Sequence, residues 1–90
     1  MPKYLIERDM PGAGALNAVE LREASRKSAE VLREMGSEIQ WLHSYVTADR
    51  LYCLYIAPDE ATVQRHAELS GFPASRISRV RATIDPTTAE

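Results

Sequence analysis

One cysteine among 90 residues leaves no partner for an internal disulfide. A lone thiol, Cys53, fits a reducing compartment, and only an intermolecular bridge stays open to it. Apolar runs are short, and none approaches the ~20 residues that a membrane-crossing helix needs. Residues 1–9 lack the long apolar segment of a secretion signal, so a cytoplasmic location is expected. An excess of one charge is missing as well, with 11 Lys and Arg against 13 Asp and Glu. The formal charge of −2 excludes the broad basic footprint of a nucleic-acid binder. Arg76, Arg79 and Arg81 form a local basic cluster that acids elsewhere balance. There is no P-loop, no GxGxxG, no Cys-x-x-Cys and no His-x-x-x-His. Gly12 and Gly14 make a loop rather than a phosphate cradle. Internal repeats, low-complexity segments and linkers are also absent.

What remains is an ordinary globular composition, 44% apolar and 27% charged, in one domain spanning residues 1–90. A chain this short buries little more than roughly 60% of its unfolded surface, so pairing with a second copy would help it. Residues 3–9 read as a strand, with Tyr4 and Ile6 on one face and Leu5, Glu7 and Asp9 on the other. Asn17 followed by Glu20 is a capping-box start. Leu21, Ala24, Ser28, Val31, Leu32 and Met35 follow at helical spacing, which predicts a helix over 18–35 ended by Gly36. Strands are expected over 38–47 and 51–57, joined by a short turn at Ala48-Asp49-Arg50. Asp59 caps a second helix that runs to Ser70 and stops at Gly71, with Pro73 beyond. A last strand is expected over 76–84, closed by Asp85-Pro86. The order β-α-β-β-α-β is the split βαβ, ferredoxin-like pattern: an α+β sandwich with two helices on one face of an antiparallel sheet.

Strict alternation divides the strands into two faces. The helix-facing set is expected to be Ile6, Leu42, Val46, Leu54, Ile56, Val80, Ala82 and Ile84. The opposite set is Leu5, Glu7, Trp41, His43, Tyr45, Cys53, Tyr55, Arg79 and Arg81. The second set is too aromatic to be left wet and too polar for a plain core. Such a face packs on another subunit or encloses a pocket, and a dimer through the open faces of two sheets is expected.

His43 and Cys53 fall on adjacent strands of this face, with Glu7 on a strand expected beside the third. Neutral imidazole and thiolate together suit nickel, copper or zinc. The plainer alternative is a polar dimer interface with a satisfied histidine and a small buried cysteine. His66 lies on the second helix near Val63, Ala67 and Ser70. By pattern it is a half-buried or surface histidine, with an outer metal ligand as the other reading. Trp41, Tyr45, Tyr55 and Arg81 can line a pocket in which His43 and the tyrosines act as acid and base, and the arginines hold an anion. Nucleophilic catalysis has little support, because Cys53 has no third, orienting group.

Three stretches resemble a family of small bacterial nickel-binding proteins with a ferredoxin-like fold, long labelled as of unknown function. They are Tyr-Leu-Ile-Glu-Arg-Asp-Met-Pro-Gly at 4–12, His-Ser-Tyr-Val-Thr-Ala-Asp-Arg-Leu-Tyr-Cys-Leu-Tyr-Ile-Ala-Pro-Asp-Glu at 43–60, and His-Ala-Glu-Leu-Ser-Gly-Phe-Pro-Ala at 66–74. The resemblance implies a homodimer that binds nickel or another divalent transition metal at or near the dimer, with a role in sequestration or detoxification. The positions that match the family pattern are Glu7, His43, Cys53 and His66. Two functional readings follow: a metal-binding, non-enzymatic homodimer, or a small dimeric α/β-barrel enzyme of the cyclase, isomerase or cofactor-free monooxygenase kind. A plain interaction module is a third.

Overall fold

A computed structural model describes residues 1–90. The chain runs β1 (Lys3–Asp9), α1 (Ala18–Met35), β2 (Gln40–Val46), β3 (Arg50–Ile56), α2 (Glu60–Ser70) and β4 (Arg76–Arg79), with short 3-10 turns at Ala13–Ala15 and Pro86–Ala89. The sheet is antiparallel with strand order β2-β3-β1-β4, so β1 and β3 are central. This is the ferredoxin-like α+β arrangement. The sheet is open, and no barrel closes within the chain.

Both helices begin and end where local chemistry dictates. Asn17 Oδ1 accepts from the Glu20 N–H at 2.9 Å, and Glu20 Oε1 accepts from the Asn17 N–H at 3.0 Å. That reciprocal pair satisfies two donors at the start of α1. Asp59 Oδ1 accepts from the Thr62 N–H at 2.8 Å to open α2. Gly71 closes α2 with φ of 74°, a left-handed conformation that glycine adopts without a Cβ penalty.

The two faces of the sheet differ from strict alternation. Trp41 pairs with Tyr55, but the next pair is His43 with Leu54, so Leu42 is an extra residue in β2. This β-bulge shifts the alternation of everything after it. Trp41, Ser44 and Val46 therefore share the helix side, across from Tyr55, Cys53 and Leu51, while His43 and Tyr45 point to the open side. On β3 the expected assignment is reversed. Cys53 and Tyr55 are 4% and 2% exposed beneath the helices, and Leu54 and Ile56 are half-buried on the open face. Pairing enforces this, because Tyr4 and Ile6 sit opposite Tyr55 and Cys53 and must share their side.

The core is Tyr4, Ile6, Ile39, Cys53, Tyr55, Ala57 and Val63, with Leu32, Met35, Trp41, Leu51 and Ile77 packed against it. The last strand is shorter than the sequence suggests. β4 is an edge strand that pairs only with β1. Its final bond to that strand runs from the Val80 N–H to the Lys3 carbonyl. Beyond Lys3 there is no β1 left to pair with, so Ala82 and Ile84 do not join the helix-facing core and are exposed. Val80 lines up with Lys3 on the open side, and Arg79 stands opposite Tyr4 rather than on the open face.

Candidate functional site

The chain holds one cavity, of about 80 Å³, between α1 and the helix side of the sheet. Its floor is Trp41, Ser44 and Val46 of β2 with Leu51, Cys53 and Tyr55 of β3; its roof is Leu21, Ala24, Ser25 and Ser28 of α1. Met10 and Leu16, from the segment linking β1 to α1, and Phe72, just past α2, complete the wall with Arg8. Trp41 donates from Nε1 to Ser44 Oγ at 3.0 Å, a bond that spans the bulge and holds the indole against the cavity.

Arg8 is the only charged residue in that wall, and it is 1% exposed. It follows Tyr4 and Ile6 at strand spacing, so the alternation of β1 drives it inward. Its Nη1 donates to the Pro73 carbonyl at 2.7 Å and lies 3.5 Å from the Phe72 carbonyl. Its Cζ lies 5.9 Å from the Phe72 ring centroid. Nη2 is buried with no partner. The ion pairs of the chain use Arg26, Arg50 and Arg76, never Arg8. A buried guanidinium without a carboxylate is costly, and the two loop carbonyls offset only part of that cost.

Polar groups cluster behind Arg8. His66 is fully buried, with Nε2 at 3.4 Å from Ser28 Oγ and 3.5 Å from the Ser28 carbonyl, while Nδ1 has no partner. Its ring lies 5.1 Å from that of Tyr55. Burial holds the imidazole below its usual pKa; the Ser28 carbonyl opposes that shift, and the charge of Arg8 adds to it. Burial pushes the Tyr55 phenol up, with Arg8 pulling the other way. Both groups are therefore neutral near pH 7.

The residues expected to hold metal do not meet within the chain. Cys53 and His66 lie on the helix side, in the core; Glu7 and His43 belong to the open face. No three His, Cys, Asp or Glu side chains converge anywhere. Glu7 is engaged by Arg50 at 3.4 Å and by Arg76 at 4.0 Å. His43 is exposed and meets Tyr45 edge-on, with ring centroids 5.1 Å apart. A nickel site built within the single chain does not fit this donor set.

Trp41 and Tyr55 line this cavity, but it lies on the helix side and not on the open face where a pocket with His43 was expected. Tyr45 is 60% exposed on the open face, and Arg81 is exposed beyond the end of β4. An acid–base pair of His43 with a cavity tyrosine is thereby excluded, because the sheet separates them. Arg8 and Ser44 were not expected at a site, and Ser28 was placed only on the periodic face of α1. The parity shared by Tyr4, Ile6 and Arg8 is the signal that points to the first.

Fold and site together define a small ferredoxin-like α+β protein with a partly open apolar cavity under α1 and a separate open sheet face. The chain belongs to the SCO4226-like family, described as nickel responsive proteins, whose pattern matches residues 4–80. The crystal structure of SCO4226 from Streptomyces coelicolor A3(2) superposes with a TM-score of 0.76 at 20% identity, covering 91% of this chain and 99% of that one. At that identity the likeness establishes the fold. No curated protein matches the chain.

Proposed function

We propose that the protein is a homodimer that binds nickel, or another divalent transition metal, through His43 together with donors of the second subunit, and so sequesters or responds to excess metal. The family's description as nickel responsive supports the choice of ion. The observation that carries the dimer is the open sheet face, where Leu5, Tyr52, Leu54 and Ile56 are half-buried side by side with no layer over them. Apolar surface of this kind gains about 25 cal/mol per Å² when covered. Residues 81–90 add to the case: all are exposed, and Ile84 is 80% exposed.

His43 lies on that same face, beside Leu54. One imidazole is a weak site, so the second copy has to supply the remaining donors. Cys53 and His66, buried on the helix side of the sheet, are not assigned as ligands. Calorimetric titration of untagged protein with nickel, zinc, cobalt and copper tests the reading. Stoichiometric binding that His43→Ala removes, with the dimer retained in sedimentation, is expected. Unchanged stoichiometry in that variant would exclude His43, and weak, unselective binding by the native protein would exclude the metal reading itself.

A further inference from the structure

We infer that the cavity between α1 and the sheet is a binding site for a small organic carboxylate with an apolar body, its carboxylate held by Arg8. This inference does not depend on the metal reading, which concerns the other face of the sheet. Three observations converge on it. The wall contains no Asp or Glu, and its one charge is a cation, Arg8. Nη2 of that cation is buried and without a partner. The remaining wall is mostly apolar, with an indole, a phenol and small hydroxyls as its polar points.

A guanidinium in low-dielectric surroundings favours an anion, and a carboxylate matches its planar fork. A neutral apolar guest would leave Nη2 as unsatisfied as it is now. Nη2 lies inside the wall and not at its surface, so holding a carboxylate requires a rotamer change at Arg8 or beside it, as is common on binding.

Volume limits the guest. An enclosed apolar cavity of roughly 150 Å³ accepts benzene, and this one measures about 80 Å³. The carboxylate and the first two or three carbons fill the interior. The rest of the body extends along Leu16, Leu21 and the part-exposed Val46. The ligand class is therefore a short aliphatic or single-ring monocarboxylate.

Trp41 is the single tryptophan and part of the wall, so its fluorescence reports occupancy. The experiment titrates the full-length protein with hexanoate and benzoate, and in parallel with hexanamide and benzamide. The expected result is a saturable change for at least one acid, with its amide about tenfold or more weaker. Arg8→Met should erase the difference between acid and amide, and Ala24→Leu, which fills the cavity from α1, should abolish binding of both. If Arg8→Met fails to fold, the comparison on native protein and the Ala24→Leu variant still decide. The inference is overturned if no acid gives a saturable change, if acid and amide bind equally, or if Ala24→Leu binds like the native protein.

Discussion

Arg8, Ser28, Tyr55 and His66 form a polar seam through a core that is otherwise aliphatic and aromatic. Two of its atoms, Arg8 Nη2 and His66 Nδ1, have no hydrogen-bond partner. Each such atom forfeits about 1–3 kcal/mol relative to a satisfied one, a large share of a small domain's stability. His66 also ties stability to pH. Its folded pKa lies below the ordinary 6.5, so the unfolded chain takes up the proton first. Its contribution is whole above about pH 6.5 and shrinks as pH falls below that value. Urea unfolding near pH 7.5 and near pH 5.5 should show a lower midpoint at the acid pH. In His66→Gln, whose side chain does not titrate, that drop should be smaller. An equal drop in the variant would assign the effect to other groups.

At the scale of elements, the segment after β1 and the β2–β3 turn are locked together. Gly14 donates its N–H to the Ala48 carbonyl at 3.0 Å, and Gly12 donates to Asp49 Oδ1 at 3.0 Å. A Cβ on Gly14 would stand 2.8 Å from the Ala48 Cα, backbone against backbone. Gly14→Ala should therefore cost about 1–3 kcal/mol, the range of overpacking in a tight contact, measured by denaturant unfolding. A variant as stable as the native protein would mean that the segment lifts off the turn without loss. The bulge at Leu42 matters more for function. One extra residue keeps Trp41 in the cavity wall while sending His43 to the opposite face, so a single strand serves both candidate sites.

For the whole molecule, the decisive feature is a sheet with only one face covered. Helices shield Tyr4, Ile6, Cys53 and Tyr55, whereas Leu5, Tyr52, Leu54 and Ile56 have no layer over them. Leu54→Lys places a charge at the centre of that face, beside His43 and Leu5. If two copies pair through this face as proposed, the variant should be monomeric in sedimentation while its far-ultraviolet circular dichroism stays unchanged, because Leu54 is not part of the core. A variant that still pairs in sedimentation would place the proposed contact elsewhere.

Much of this architecture is legible in the sequence alone. Asn17 with Glu20, Asp59, Gly36 and Gly71 mark the helix ends, since caps are chemistry between residues at most four apart. The strand–helix order that follows from them specifies the ferredoxin-like layers. Which face of β3 is buried was not legible. Both parities of that strand are apolar enough to bury, and only pairing with Tyr4 and Ile6 decides between them. The bulge at Leu42 has no marker in the sequence, because it is settled by register against β3. The length of β4 is likewise set by where β1 ends. Local chemistry therefore determined the elements and their order. Strand pairing, a contact between residues far apart in sequence, decided which side chains meet: it laid Trp41 and Tyr55 in one cavity wall with Arg8 and parted His43 from Cys53.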